Sequence, residues 1–211
     1  RLLTTIAYRI NGKTTYAMEG SIFIAGAGVQ WLRDRMKFFK KAPETEKIVK
    51  SLKDNNNIYL VPAFTGLGAP YWDANARGVL SGITRDTSPN EIVRATIEAV
   101  AYQTYDLFEA MKHDGLRPKI VKVDGGMVNN NWFSQFLSDI VNVKVLRPKV
   151  QETTALGAAF MAGLHLGVYK SLKDISKNWS IDKKFSPKMK NKKRTKLIKG
   201  WLKAIKRTLI N

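Results

Sequence analysis

The sequence predicts an α/β fold in which short strands alternate with helices and ligands bind at loops that follow the strands. The first observation is a β-branched run at 120–123, which two glycines and then a helical pattern follow. The second is an apolar run at 58–61 that leads into a loop rich in glycine and proline. The third is a long helical pattern at 89–113, which separates these two strands.

The chain begins with a predicted β-hairpin. Residues 2–10 and 14–18 form two strand-like runs, and Asn11-Gly12 between them is the dipeptide most typical of a tight hairpin turn.

A helix with a glycine-containing start is predicted next. Apolar residues from Val29 to Phe39 recur at helical spacing, and Gly26 and Gly28 lie at the beginning of this pattern. Without a Cβ, these glycines allow the close approach of either a ligand or a neighbouring helix. Gln30 can offer both a donor and an acceptor to a base or ribose edge.

The middle of the chain carries a helix, a strand and a stiff loop. We predict a helix at 44–53, a strand at 58–61 and a second strand at 77–84. The loop 62–73 contains two glycines, two prolines and three aromatic residues, so it packs on itself or contacts a substrate. An ion pair between Asp73 and Arg77 could close it.

A long helix starts with strong capping signals. Ser88 precedes Pro89, and Glu91 follows in the first turn, which is the pattern of an N-cap and capping box. The apolar periodicity continues to His113, and Gly115 is predicted to end the helix.

The segment 121–131 combines a strand, a glycine turn and a helix start. Gly125 and Gly126 stop the strand, and Asn129 to Asn131 supply N-cap chemistry for a helix at 132–141. Such a turn presents backbone N–H groups and a positive helix end, which suit phosphate or the polar edge of a nucleotide. A plain tight turn without a ligand is the alternative. A strand at 143–146 and a helix at 153–166 follow.

The basic character of the chain is concentrated at its end. The formal net charge is +19, and 15 of the 36 basic but only 2 of the 17 acidic residues lie in 170–211, which therefore carries +13. Apolar residues repeat every fourth position from Leu197 to Leu209, so a terminal amphipathic helix is predicted. It either docks on the domain with its lysines in solvent or contacts a membrane surface or a nucleic acid.

Composition excludes some classes of protein. There is no cysteine, hence no disulfide framework or thiolate metal site. No apolar run approaches the ~18 residues of a membrane span, and no signal peptide is recognisable, so a cytoplasmic location is expected. Because the chain lacks an initiator Met and opens inside a strand-like run, we expect a fragment of a longer protein.

Several stretches of the sequence carry a family resemblance. Residues 78–83, followed after seven positions by residues 91–98, resemble the second signature of the FGGY carbohydrate kinase family. The stretches 62–73, 99–103, 123–130 and 153–163 are similar to those of family members that phosphorylate glycerol, in the same order along the chain.

The resemblance implies one lobe of an actin-like, ribonuclease H-like ATPase, with a mixed sheet flanked by helices and the active site between two lobes. Residues 1–169 would be the C-terminal lobe without its first strands, and 170–211 a lysine-rich tail ending in an amphipathic helix. By motif position, Gly26, Gln30, Gly126 and Asn130 match nucleotide-binding residues. The implied activity is ATP-dependent phosphorylation of glycerol to glycerol 3-phosphate, with Mg²⁺ arriving on the nucleotide phosphates. A homo-oligomer is expected, and no nucleic-acid partner.

The chain also departs from the family pattern. The catalytic aspartate, the glycerol-binding residues and the phosphate-binding hairpin would all lie upstream, so no catalytic residue is assigned within this chain. Asp124 is expected to fix its turn by accepting local N–H groups, and His113 and His165 are expected to be structural. No cluster of acidic or histidine residues is spaced for a metal. Three alternatives stay open: another FGGY sugar or polyol kinase, a non-catalytic actin-like ATPase module, and a nucleic-acid-binding module built on the tail.

Overall fold

A computed structural model of the chain describes residues 2–209. The strands are β1 (Leu3–Ile10), β2 (Lys13–Glu19), β3 (Tyr59–Val61), β4 (Val79–Ser81), β5 (Ile120–Lys122), β6 (Lys144–Pro148) and β7 (Ile181–Phe185). The helices are α1 (Gly26–Asp34), α2 (Glu44–Ser51), α3 (Pro89–His113), α4 (Asn131–Val141), α5 (Thr153–His165), α6 (Leu172–Ser176) and α7 (Asn191–Thr208), and a 3-10 turn covers Gly126–Asn129.

The strands form three small sheets. β1 and β2 make the predicted antiparallel hairpin, and β3 pairs with β4 in a second antiparallel pair. The third sheet has the order β5-β6-β7, with β5 parallel and β7 antiparallel to β6. Within the described residues, the predicted mixed sheet is therefore three strands wide.

The central element is α3, which packs against α1, α2, α4 and β3. Its start confirms the predicted capping box: the backbone N–H of Asn90 donates to the Ser88 hydroxyl, and the N–H of Ser88 donates to Glu91. Gly115, with φ of +86°, lies just past its C-cap.

A buried charged cluster lies on α3 where it meets α4. The Arg94 Nε donates to Glu98 Oε1 at 2.7 Å, and the Tyr102 hydroxyl donates to Glu98 Oε2 at 3.0 Å. Arg94 also donates to the Leu52 carbonyl and lies 5.0 Å from the Trp132 ring centroid. Glu98 is fully buried, and burial raises the pKa of its carboxyl group despite the facing guanidinium.

The C-terminal helix α7 docks on the rest of the fold. Leu197, Trp201 and Ile205 are buried against β3, β4 and α4, as the amphipathic pattern predicts. The Trp201 indole is fully buried and donates to Asp106 on α3 at 2.8 Å. Leu202 and Leu209 are exposed, so the apolar stripe is narrower than the sequence suggests.

Several sequence predictions need correction. The first helix ends at Asp34 rather than at Phe39, and the predicted strand 77–84 contains only three residues in strand conformation. Asp73 and Arg77 do not pair: the Asp73 carboxylate accepts the backbone N–H groups of the next turn, and Arg77 donates to nearby carbonyls. Local hydrogen bonds of this kind compete with the longer contact.

Helix α5 stands apart from the core. It forms as predicted and is rich in alanine, but none of its residues is buried. Separately, among residues 2–209 no helix combines the length and the apolar composition needed to cross a bilayer.

Candidate functional site

A cavity of about 390 Å³ lies between α1, α2, α3 and the 3-10 turn. Its volume falls in the range of small-molecule sites, ~300–1,000 Å³. It is lined by Gly26, Val29, Gln30, Arg33, Ala42, Pro43, Thr45, Glu46, Ile97, Gly126, Met127, Asn129 and Asn130. All four residues that the sequence singled out belong to this set, although about 100 positions of sequence separate the two pairs.

Two of these four residues are glycines that leave the backbone accessible. A Cβ built on Gly26 or on Gly126 would meet no other heavy atom within 4 Å. Gly28 differs, because a Cβ there would lie 3.0 Å from a methyl group of Thr96 on α3. The sequence left open whether these glycines admit a ligand or a neighbouring helix. In the structure Gly26 lines the cavity, and Gly28 packs against α3.

The segment before α4 contains a 3-10 turn in addition to the predicted strand, glycine turn and helix start. Gly125 takes a φ of +81°, which glycine adopts readily, and the 3-10 turn intervenes before α4 begins. Asn130 caps α4, since its Oδ1 accepts the Phe133 N–H at 3.0 Å. Asn130 Nδ2 also donates to the Thr45 hydroxyl at 3.4 Å, so its side chain positions the wall of the cavity.

Gln30 and the start of α1 offer uncommitted polar groups. Gln30 is exposed, and its side-chain amide makes no hydrogen bond to any part of the chain that the structure describes. The N-terminus of α1 has no side-chain cap and no acidic residue in its first turn. The Gly28 N–H donates to the Ala25 carbonyl, so the N–H groups of Gly26 and Ala27 and the positive helix end are available to an anionic or polar ligand at Gly26.

Two residues of α2 that sequence analysis missed complete the wall. Thr45 is buried and donates to the Ala42 carbonyl at 2.7 Å. Glu46 accepts the Asn131 N–H at 3.3 Å and pairs with Lys50 at 2.6 Å. Burial opposes ionisation of Glu46, but the hydrogen bonds from Lys50 and Asn131 outweigh it and lower the pKa of its carboxyl group. Nothing in the local pattern of α2 separates these residues from an ordinary helix start.

Asp124 does not act as the sequence suggested. Its carboxylate accepts a hydrogen bond from the Thr153 hydroxyl, so it links the glycine turn to the start of α5 instead of accepting local N–H groups. Within residues 2–209, no group of three or more histidine or acidic side chains is placed to hold a metal ion. The one carboxylate lining the cavity, Glu46, is engaged by Lys50 and Asn131.

The fold defines a class of protein: an α/β lobe of the actin-like ATPase fold, as the sequence predicted. The pattern of the C-terminal domain of the FGGY family of carbohydrate kinases matches residues 3–166, and the chain belongs to that family.

Relatives and solved structures agree with this membership. The chain is 55% identical over 207 residues to glycerol kinase 1 of Pseudomonas aeruginosa. The aligned residues cover 98% of this chain and 42% of the relative. The crystal structure of Plasmodium falciparum glycerol kinase with ADP superimposes with a TM-score of 0.89 at 40% identity, covering 100% of this chain and 42% of that one. The crystal structure of gluconate kinase from Lactobacillus acidophilus superimposes with a TM-score of 0.77 at 26% identity, covering 99% of this chain and 45% of that one. The chain thus spans about two fifths of the length of these relatives.

Proposed function

We propose that this chain is the nucleotide-binding lobe of an enzyme that transfers a phosphoryl group from ATP to glycerol. The observation that carries the proposal is the convergence of Gly26, Gln30, Gly126 and Asn130 on one cavity. A cavity of about 390 Å³ is large enough for an adenosine group. The two glycines with open space above them allow the backbone to approach such a ligand closely.

The four residues divide among three proposed roles. Gly26, at the uncapped start of α1, and Gly126 present backbone to the nucleotide. Gln30 supplies a donor and an acceptor from its free amide. Asn130 mainly positions the wall of the cavity, because its side chain is engaged in capping α4 and in the hydrogen bond to Thr45.

The proposed task of this lobe is to bind the nucleotide and to align its terminal phosphate. Phosphoryl transfer requires the acceptor hydroxyl to be aligned with the terminal phosphate, and closure of two lobes achieves that alignment while excluding water. We assign no proton transfer to a residue of this chain. Mg²⁺ is proposed to arrive with the nucleotide phosphates, and no residue among 2–209 is assigned to it.

The substrate follows from similarity. The glycerol kinase relatives are 54–55% identical to this chain, whereas the gluconate kinase is 26% identical. Glycerol is therefore preferred over gluconate or a pentulose as the acceptor. A cytoplasmic location and a homo-oligomeric state, with no nucleic-acid partner, stay predictions attached to this function.

The test is ADP release by the full-length protein with glycerol, compared with the Gly126→Trp variant. Because a Cβ at Gly126 meets open space, the indole is expected to enter the cavity without disturbing the fold. Affinity for ADP, measured by calorimetry, should fall by at least about a hundredfold, or ~2.7 kcal/mol. Lys47→Trp, on the exposed face of α2 outside the cavity, is the matched control.

The outcomes separate the alternatives. Turnover with glycerol that Gly126→Trp abolishes and Lys47→Trp preserves supports the proposal. Turnover only with another polyol keeps the nucleotide site and overturns the substrate. Absence of turnover with any polyol, while ADP still binds, favours a non-catalytic ATPase module.

A further inference from the structure

A second and larger cavity, a groove of about 670 Å³, lies between α7 and the β3–β4 pair. It shares no lining residue with the proposed nucleotide cavity. We call it the basic groove, and it is lined by Asn57, Tyr59, Ser81, Gly82, Lys192, Thr195, Lys196, Lys199, Gly200, Lys203, Ala204 and Arg207.

Five of these lining residues are cations that form a single row on α7. The row runs from Lys192 to Arg207 in steps of three or four residues, which places it on one helix face over ~22 Å. In the described part of the chain, none of the five has a carboxylate within 4 Å. The positive charges therefore repel one another, and an anion in the groove would relieve that repulsion.

A membrane surface does not fit this arrangement. A basic amphipathic helix binds a bilayer by inserting its apolar face between the lipids. The apolar face of α7, which includes Leu197, Trp201 and Ile205, is already buried in the protein core. Apart from the exposed Leu202, the surface of α7 that a partner can reach is polar.

Nucleic acids fit poorly as well. Single strands are held by aromatic side chains on which bases stack. Tyr59 is the one aromatic residue lining the groove; it is 5% exposed and its ring packs against Tyr102 in the core. Reading a duplex in its major groove requires a projecting helix or strand pair, whereas these cations line a concave surface.

We propose that the basic groove binds a compact anion carrying two or more phosphate groups. Its volume lies in the range of small-molecule sites. Cations spread along ~22 Å of helix cannot all reach one phosphate, so several anionic groups are needed to engage the row. The neutral side chains of Asn57, Ser81 and Thr195 add hydrogen-bonding groups beside the charges.

The test is a calorimetric titration of the full-length protein with inorganic tripolyphosphate, with orthophosphate as the single-phosphate comparison. Tripolyphosphate should bind at low ionic strength, and its affinity should fall as salt is added. Orthophosphate should bind at least about tenfold more weakly.

Charge-reversal variants locate the binding. Lys199→Glu with Lys203→Glu should weaken tripolyphosphate binding by at least about tenfold. Lys193→Glu with Lys206→Glu changes the net charge equally on the same helix but outside the groove, and should have less than about a threefold effect. The neutral pair Lys199→Gln and Lys203→Gln should also weaken binding, which separates loss of the ligand contacts from any disturbance by the new carboxylates.

Three results would overturn the proposal. The first is a failure of tripolyphosphate to bind at low salt, and the second is an affinity for orthophosphate equal to that for tripolyphosphate. The third is an equal loss of tripolyphosphate affinity in the groove variants and in the control variants. Binding of a glutamate-rich peptide without binding of tripolyphosphate would assign the groove to an acidic protein segment instead.

Discussion

Replacing Asp106 with asparagine is expected to remove a pH dependence of stability from this lobe. Asp106 is 5% exposed and accepts the indole N–H of Trp201, which anchors α7 to α3. Burial raises the pKa of the Asp106 carboxyl group to about 7; hydrogen bonds from Trp201 and Tyr71 oppose the shift, and Glu109 adds to it.

The sign and size follow from proton linkage. The unfolded chain releases this proton near its ordinary pKa of 3.8, and the folded chain holds it until about pH 7. The folded state therefore binds more protons in this window, and the free energy of unfolding falls as the pH rises from about 4 to about 7. A difference of about three pKa units, at ~1.4 kcal/mol per unit, sets an upper limit of about 4 kcal/mol on the effect.

The assay is urea unfolding, followed by tryptophan fluorescence, at several pH values between 4 and 8. Asparagine keeps an oxygen that can accept the Trp201 N–H but cannot ionise. Asp106→Asn should therefore gain stability relative to the original protein as the pH rises through this window, and Asp86→Asn on the surface should not. A difference between Asp106→Asn and the original protein that stays constant from pH 4 to pH 8 would refute the reasoning.

Two further changes test the packing around α3 and α7. Gly200→Ala places a Cβ 2.2 Å from the Tyr59 hydroxyl, so it should destabilise the lobe by ~1–3 kcal/mol in urea unfolding, while Gly157→Ala, which meets open space, should not. Arg94→Met leaves the fully buried Glu98 with the Tyr102 hydrogen bond but without its cationic partner, and should cost ~3–5 kcal/mol. Adding Glu98→Leu to that variant should restore part of the loss, and a double variant no more stable than the single one would contradict the account.

The elements that were predicted well are those whose signals are local. The capping box of α3 and the Asn11-Gly12 hairpin each depend on residues within a few positions of one another. The end of α1 was predicted less well, because apolar residues at helical spacing continue after Asp34 although Lys37 takes a positive φ of 58°. Spacing alone does not report where the chain leaves the helix.

Sequence analysis singled out four residues that line the cavity but missed two others in its wall, and the nucleotide-binding role of the four stays a prediction. Gly26, Gln30, Gly126 and Asn130 were identified from motif position, and the structure places them around one cavity. Thr45 and Glu46 escaped notice because their contacts are to residues 85 positions away.

The sequence by itself determined the order of strands and helices as far as α5, the family membership and the amphipathic character of the last helix, but not α6 or β7. Hydrophobic periodicity, caps and family signatures depend on neighbouring residues. Only the tertiary structure decided that the two glycine-containing segments line one cavity, that Asp106 is buried next to Trp201, and that five cations of α7 line one groove. These properties arise when distant segments pack together, and burial, pKa and charge density depend on that packing and not on sequence distance.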